Sequence, residues 1–406
     1  MTADRREPLR VAIFGESYLP YLSGVTVSIE ALARGLGAAG HEVLLVVPQP
    51  ATGVVPGTAG AQGPEPRVAW LPSFQVPGPA PAGYRVPWPL PSEALREAAA
   101  FRPQVVHAQS PFVSGLMARR LARRLGAPLV FTHHTRFGDY SHYLGPVAAP
   151  GGALVAEYLF RYWLGCAAVV APGSDLAEEI HGRLGPRPRP LVRAIPTGIE
   201  VAAIRALDPI DPRPLAGWPA DALVVGGLGR LAPEKSVDLL VEAFAEVAGG
   251  ESSARLLLVG GGPSEASLRA RIAQPDLAGR VHLTGLRPHL EALALIKGVD
   301  LLATASRTET QGLVLAEALA AGVPVVALAG PGVADSVRHQ LDGLIVSAEP
   351  AAERRTALAG AVRELVRDSE QRARLAAAAR DGAERFSVAT RIESMVNLYR
   401  ELLVER

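Results

Sequence analysis

The sequence has 406 residues, of which 49% are hydrophobic and 20% charged, and its formal net charge is +1. A chain of this length and composition can bury the cores of two or three domains, and its nearly neutral charge argues against a nucleic-acid partner. A single cysteine, Cys166, excludes an internal disulfide framework and suits a reducing cytosol. The first residues lack the apolar run of a signal peptide, and the uncharged segment 318–334 is interrupted by prolines and glycines. We therefore expect a cytoplasmic protein without a membrane span.

Short apolar runs rich in β-branched residues alternate with amphipathic helical stretches in the first half of the chain. The strand candidates are 11–15, 41–48, 105–108, 128–133 and 167–172, and the helix candidates between them are 25–39, 113–125 and 174–184. Strands that alternate with helices predict a parallel sheet with right-handed crossovers. The stretch 48–91 carries twelve prolines and predicts an irregular excursion with a short strand near Arg67.

The same alternation restarts in the second half. The strand candidates there are 222–229, 255–261, 281–285, 300–306, 323–328 and 343–347. Between the two series, the proline-rich stretch 185–219 is typical of a domain connection. We therefore predict an α/β protein with one doubly wound domain at 1–195, a second at 196–385 and a terminal helix at 386–406. Ligands bind such sheets in the crevice at the carboxyl ends of their strands.

The stretch SRTETQGLVLAEALAAG follows one of these strands and holds two acids around a glycine. Gly312 precedes the helical spacing, so the N–H groups of Gly312 and Leu313 would be available to phosphate oxygens at a helix N-terminus. Glu309 would lie in the loop and Glu317 in the helix, at two depths where carboxylates could accept hydrogen bonds from sugar hydroxyls. The alternative is a solvated loop residue and a helix-terminal charge.

A second stretch, GGLGRLAPEKS, places Arg230 and Lys235 five residues apart between a strand and a helix. A guanidinium fork and an ammonium together suit a diphosphate, and the alternative is a solvated loop. The spacing of Gly227, Gly229 and Ala232 also fits a dinucleotide-binding turn. That match is weak, because the next strand ends in glycines where a ribose-binding acid would be expected, so a dehydrogenase is the least favoured enzyme class.

These residues, together with VGGGP, VHLTG and IPTGIE, resemble the retaining GT-B glycosyltransferases, the family of sucrose synthase and phosphatidylinositol mannosyltransferases. The segments TETQGL, FTHHTRFGDYSHY and SGVTVSI are most similar to bacterial diacylglycerol glucosyltransferases. The resemblance implies two Rossmann-like domains facing a central cleft, with a terminal helix that crosses back to the N-terminal domain. It implies a nucleotide diphosphate sugar as substrate, with no further cofactor and no metal.

The resemblance also implies roles for residues of the C-terminal domain. Arg230 and Lys235 would neutralise the leaving diphosphate, Glu309 would hold hydroxyls of the donor sugar, and Glu317 would hold those of the ribose. The remaining donor-binding residues would be Leu286 and Arg287 at the base, and Gln311, Gly312 and Leu313 at the start of the helix. Gln311 stands where many relatives have an aromatic residue.

In the N-terminal domain, the resemblance places Gly24 beside the diphosphate, although Ser23 departs from the Gly-Gly of many relatives. His134 would lie beside the transferred sugar, and His133 and His107 are the alternatives. The acceptor-side residues would be Gln109, Asp139 and Tyr140.

The implied reaction is transfer of a hexose, with glucose from UDP-glucose favoured, onto a membrane lipid such as diacylglycerol. The helix 113–125 carries Arg119, Arg120, Arg123 and Arg124, which could bind the cytoplasmic membrane face peripherally. A solvated basic face is the alternative. GDP-mannose as donor or a soluble acceptor also remain open, as do a nucleotide-sugar epimerase and a non-catalytic binding module.

Overall fold

A computed structural model describes residues 7–21, 23–51, 63–75, 84–134, 148–187, 190–306 and 311–404. The chain divides into two compact units. Unit 1 comprises Met1–Gly198 together with Val388–Arg406, and unit 2 comprises Ile199–Ser387. Within the described ranges, no helix has both the length and the apolar composition that crossing a membrane requires.

Unit 1 is built on a seven-stranded parallel sheet with the strand order β3-β2-β1-β6-β7-β8-β9. The strands of unit 1 are β1 (Arg10–Phe14), β2 (Glu42–Pro48), β3 (Arg67–Leu71), β4 (Ser73–Gln75), β5 (Arg85–Pro87), β6 (Val105–Ala108), β7 (Leu129–Thr132), β8 (Ala168–Ala171) and β9 (Leu191–Ala194). The short strands β4 and β5 form a separate antiparallel pair. The connecting helices are α1 (Gly24–Ala38), α2 (Glu93–Ala100), α3 (Val113–Leu125), α4 (Ala148–Trp163) and α5 (Ser174–Leu184).

Successive apolar side chains of a strand lie on opposite faces of this sheet, which explains why helices cover both faces. In β1, Ala12 and Phe14 belong to one apolar cluster, whereas Val11 and Ile13 belong to the cluster on the opposite face. All four are fully buried. Strands buried on both faces produce the continuous apolar runs seen in the sequence.

Unit 2 repeats this architecture with a six-stranded parallel sheet in the order β12-β11-β10-β13-β14-β15. Its strands are β10 (Leu223–Leu228), β11 (Ala254–Val259), β12 (Val281–Leu283), β13 (Leu301–Thr304), β14 (Val325–Leu328) and β15 (Gly343–Val346). Its helices are α6 (Val201–Ala206), α7 (Pro212–Ala216), α8 (Val237–Gly250), α9 (Glu265–Ile272), α10 (His289–Lys297), α11 (Leu313–Ala320), α12 (Val333–Ser336), α13 (Arg354–Arg367) and α14 (Ser369–Gly382). Short 3-10 turns lie at Pro233–Lys235, Ala351–Glu353 and Ala383–Phe386.

The last helix, α15 (Val388–Val404), packs against α1 within unit 1. The two helices meet closely at Gly35, where a Cβ would lie 2.6 Å from Cγ1 of Ile392. Tyr399 is fully buried, and its hydroxyl lies 2.6 Å from Nδ1 of His107 on β6. The end of the chain is therefore an integral part of the core of unit 1.

The stretch 185–219 contains more regular structure than the prediction of a plain connection allowed. It holds β9, which pairs with β8, and the short helices α6 and α7. The prolines lie where these elements tolerate them: Pro190 precedes β9, and Pro212 and Pro214 lie in the first turn of α7, where no backbone N–H is needed.

Candidate active site

The strand order reverses at one position in each sheet, between β1 and β6 in unit 1 and between β10 and β13 in unit 2. The connections that leave these strands run to opposite sides, which opens a crevice at the carboxyl ends. Gly24 and Gln109 follow β1 and β6, and Arg230 and Gly312 follow β10 and β13. The topology thus brings the residues selected from the sequence to the place where each sheet can bind a ligand.

Unit 2 contains a cavity of about 140 Å³ at its crevice. The ends of β10 and β13, the 3-10 turn after β10 and the start of α11 form its walls, which are largely backbone and aliphatic. Arg230 and Lys235 are the charged side chains that line it. In the described parts of the chain, no three His, Cys, Asp or Glu side chains cluster closely enough to hold a metal ion. The cavity therefore presents positive charge from side chains.

The loops at this crevice contact each other through their backbones, and Gly260 makes this possible. Its φ of +144° lies in the region that favours glycine, and a Cβ there would lie 1.9 Å from the carbonyl oxygen of Gly229. The Gly260 N–H also donates to the carbonyl of Gly285, 3.2 Å away. The glycines of VGGGP thus hold the loops after β10, β11 and β12 together.

Arg230 makes an ion pair that the sequence reading missed. Its Nη1 lies 3.3 Å from Oε1 of Glu234, whose side chain is buried whereas that of Arg230 is 57% exposed. The i,i+4 spacing of the two residues is a signal that could have indicated this pair. Lys235 ends the same 3-10 turn. Glu234 thus orients one of the two cations at the mouth of the cavity.

The start of α11 supplies backbone donors to the same cavity. Gly312 is its N-cap, with a left-handed φ of +73° and no side-chain cap. Leu313 and Val314 open the helix and line the cavity, and the N–H groups of a first turn have no acceptor within the helix. The buried Gln311 precedes them, and its carbonyl accepts a hydrogen bond from Ser336 Oγ at 2.7 Å. This helix N-terminus is suited to an anion.

Glu317 lies on the second turn of α11 and is buried. Its Oε1 lies 3.3 Å from Nε2 of His289, the first residue of α10. This hydrogen bond raises the pKa of His289 above its ordinary value. No local sequence pattern indicates a contact between residues 28 positions apart, so the sequence reading could not find His289.

Leu286 and Arg287 lie in the loop after β12, beside the glycines that follow β11. Leu286 is 85% exposed, and a Cβ at Gly261 would lie 3.4 Å from its backbone nitrogen. Arg287 Nη1 contacts Glu291 Oε1 at 3.1 Å, while its buried Nε has no partner in the described structure. Leu286 is therefore exposed on a loop that packs against the glycines after β11.

In unit 1, His134 and Gln109 contact each other directly. His134 Nε2 lies 2.7 Å from Gln109 Oε1, and the N–H of Gln109 donates to Phe14 at the end of β1. Burial, followed by the charges of Arg391 and His133, lowers the pKa of His134 to about 3. His134 is therefore a neutral imidazole at physiological pH. Gln109 is buried, and its Nε2 has no partner within the described residues.

The two alternative histidines have structural contacts in the core of unit 1. His107 is fully buried, with Nδ1 against the hydroxyl of Tyr399 and Nε2 2.7 Å from Oγ1 of Thr132. His133 is also buried and accepts a hydrogen bond from Nε1 of Trp163. These contacts favour His134 as the histidine of the crevice.

Ser23 and Gly24 form the start of α1. Ser23 is the N-cap: its Oγ accepts from the Thr26 N–H, and the Thr26 hydroxyl oxygen accepts from the Ser23 N–H. Gly24 is exposed, and a Cβ there would meet no protein atom within 4 Å. The departure from Gly-Gly thus has a local reason, because serine caps a helix better than glycine does.

Three residues selected from the sequence, Glu309, Asp139 and Tyr140, lie outside the described residues. The basic helix α3 is described, and its arginines are not equivalent. Arg120, Arg123 and Arg124 are exposed, whereas Arg119 is half-buried, and a Cβ at Gly165 would lie 2.5 Å from its Cζ. The exposed basic face of α3 therefore consists of three arginines.

Comparisons with known proteins agree with this geometry. Residues 213–382 match the family described as glycosyl transferases group 1, and residues 22–203 match glycosyltransferase family 4. A GDP-mannose-dependent alpha-mannosyltransferase of Mycobacterium tuberculosis is 32% identical over 374 residues, which cover 92% of this chain and 91% of the relative. An alpha-monoglucosyldiacylglycerol synthase of Acholeplasma laidlawii is 28% identical over 333 residues, which cover 78% of this chain and 80% of the relative.

Solved structures share the fold at low sequence identity. Sucrose-phosphate synthase from Thermosynechococcus elongatus has a TM-score of 0.72 at 20% identity, over 98% of this chain and 100% of the other. Anabaena HepE in complex with UDP and glucose has a TM-score of 0.68 at 17% identity, over 97% and 100%. Taken with the two parallel sheets, these similarities identify the chain as a GT-B glycosyltransferase, a member of the group 1 and family 4 glycosyltransferases.

Proposed function

We propose that this glycosyltransferase moves a hexose, with glucose favoured, from a nucleotide diphosphate sugar, with UDP favoured, onto a membrane lipid such as diacylglycerol. The cavity of unit 2 carries the donor part of the proposal, because Arg230, Lys235 and the first turn of α11 converge on it. A diphosphate bears the negative charge that two cations and unpaired backbone N–H groups would bind. Glu317 would accept hydrogen bonds from the ribose hydroxyls, and the backbone at Leu286 and Arg287 would contact the base.

The proposed chemistry is transfer with retention of configuration. The bond from the anomeric carbon to the β-phosphate oxygen breaks while the acceptor oxygen bonds to that carbon on the same face. The acceptor's hydroxyl proton passes to the leaving phosphate oxygen, whose developing charge Arg230 and Lys235 stabilise. Glu309 would hold hydroxyls of the sugar.

In unit 1, the proposal assigns roles to two uncharged side chains, those of His134 and Gln109. The low pKa of His134 keeps its imidazole uncharged, so it can orient a sugar hydroxyl without repelling positive charge that develops on the ring. Gln109 would orient the same region through its amide. Asp139 and Tyr140 would contact the acceptor.

Relatives named as monoglucosyldiacylglycerol synthases in Acholeplasma laidlawii and Streptococcus pneumoniae support the lipid acceptor. The surface of unit 1 supports it as well. Arg120, Arg123 and Arg124 share an exposed face of α3 with Leu116, and Leu154 on α4 is 72% exposed. Exposed cations beside apolar side chains suit the anionic surface of a membrane, to which the protein would bind peripherally on the cytoplasmic side.

The test is a transfer assay with radiolabelled UDP-glucose, UDP-galactose and GDP-mannose, each offered with diacylglycerol vesicles and without acceptor. We expect label from UDP-glucose to enter the lipid phase. GDP-mannose is the second candidate donor, because a relative that covers 92% of this chain is named for it. Label that stays in water as an isomerised donor would instead identify an epimerase, and binding without turnover would identify a binding module.

Membrane contact is tested separately by sedimentation with vesicles that contain or lack anionic lipid. Replacing Arg120, Arg123 and Arg124 together by glutamate should weaken binding to the anionic vesicles at least tenfold, since each basic residue near the surface contributes about 1 kcal/mol. Replacing the exposed Arg96, Arg102 and Arg374 by glutamate is the charge-matched control. Equal loss in the control would contradict the assignment to α3.

A further inference from the structure

We propose that His289 is a positioning residue that holds Glu317 ready for the ribose and thereby sets the preference of this protein for ribonucleotides. The inference rests on the proposed function, in which Glu317 receives the ribose hydroxyls. His289 lies on α10, whereas Glu317 lies on α11.

The contact itself is specific. His289 opens α10 and Glu317 lies on α11, and Nε2 and Oε1 are 3.3 Å apart. Among the described side chains, His289 is the hydrogen-bonding partner of Glu317. The side chain of Glu317 is only 12% exposed, whereas the imidazole is 48% exposed, so the histidine reaches the acid from the solvent side.

The geometry leaves the acid able to bind a diol. A carboxylate has four lone-pair sites, and His289 occupies one of them on Oε1. Oε2 and the second site of Oε1 can each accept one of the two hydroxyls that a ribose presents side by side. The bond raises the pKa of His289, so the pair is stronger when the imidazole is charged.

Holding Glu317 in one conformation strengthens ligand binding because a glutamate side chain is otherwise flexible. Fixing its rotamer on ligand binding loses conformational freedom, and a partner that has already fixed it removes that cost. The ion pair also contributes little to folding, because half of the imidazole is exposed to solvent. Removing His289 should therefore change ligand affinity more than it changes stability.

The test measures binding of UDP, GDP and their 2′,3′-dideoxy counterparts by titration calorimetry. His289→Ala should weaken binding of the ribonucleotide about tenfold, which corresponds to about 1.4 kcal/mol, and leave the 2′,3′-dideoxynucleotide, which has no hydroxyl for Glu317, nearly unaffected. In turnover the same variant should raise the donor KM with little change in kcat. His289→Gln, whose amide nitrogen can occupy the position of Nε2, should recover most of the affinity.

Two further variants make the outcomes distinguishable. Glu317→Gln should abolish the preference for ribose, and His181→Gln, at an exposed histidine of α5, should change nothing. Equal losses of ribo- and 2′,3′-dideoxynucleotide affinity in His289→Ala, or no loss at all, would overturn the inference. If Glu317→Gln retains the ribose preference, the assigned role of Glu317 fails first. If neither UDP nor GDP binds the unmodified protein, the proposed function fails and the inference fails with it.

Discussion

Replacing Lys235 by alanine separates a role in transfer from a role in folding. Lys235 ends a 3-10 turn and lines the cavity of unit 2, where we propose that it contacts the leaving diphosphate. A hydrogen bond to a charged group contributes about 1.5–3 kcal/mol, and each 1.36 kcal/mol is tenfold in rate. We therefore expect turnover to fall about 10- to 150-fold.

Stability should change little in the same variant. Lys235 is only partly buried, and ion pairs near the surface contribute up to about 1 kcal/mol. Unit 2 spans residues 199–387, and in a domain of that size 1 kcal/mol corresponds to about 2–4 °C in Tm. The radiolabelled assay gives kcat and KM, and scanning calorimetry gives Tm. Lys235→Arg should retain part of the activity, because it keeps the charge.

The chain offers a matched control, since Lys297 is its only other lysine. Nζ of Lys297 donates to the carbonyls of Arg205 and Leu207 at 2.6 and 2.7 Å, at the end of α6. Lys297→Ala leaves those carbonyls without this donor, so it should lower Tm by several degrees and preserve specific activity. The reasoning is refuted if Lys235→Ala keeps turnover within threefold, or if its loss of activity only follows a loss of folded protein.

Two further predictions concern stability. Gly260→Ala should lower the free energy of unfolding by about 3 kcal/mol or more, because its Cβ would overlap the Gly229 carbonyl. Gly279→Ala, at φ +72° in open space, should lower the free energy of unfolding by only about 1 kcal/mol. Urea unfolding of the two variants distinguishes these outcomes. Burial lowers the pKa of His107 and of His134 below that of the unfolded chain, so the unfolded state binds more protons below pH 6.5 and stability should fall as pH decreases. His107 contributes to this loss, so Tm should decline less between pH 7.5 and 5.5 in His107→Gln; equal slopes would contradict this assignment.

The fold was largely predictable because the strands of both sheets are buried on two faces. Such strands appear as short continuous apolar runs, and 11–15 and 300–306 were recognised on that basis. The strand β9 was missed for a physical reason. It lies at the edge of the sheet of unit 1, and Leu191 and Val192 are only half-buried, so the run is short and mixed. Its flanking prolines then favoured a connection.

The candidate site was predictable as far as it depends on position after a strand. Arg230, Lys235 and Leu313 were selected in this way, and the structure gathers them at one cavity. The partners were not predictable to the same extent. The i,i+4 spacing indicates the contact of Arg230 with Glu234, whereas the contact of His289 with Glu317 depends on how α10 packs beside α11. Periodicity also failed for Arg119, because a close approach to Gly165 takes its guanidinium away from the exposed face.

The two sheets show why strand ends alone do not define a site. Each sheet has several carboxyl ends, and polar residues follow many of them. A crevice forms only where consecutive connections diverge, which requires the order β1–β6 in unit 1 and β10–β13 in unit 2. That order is a property of the packed sheet, because it depends on which face each crossover helix covers. Gly24 and Gln109 therefore follow the two strands that flank the switch point of unit 1, and Arg230 and Gly312 follow those that flank the switch point of unit 2. The chemistry proposed for these residues follows from that placement.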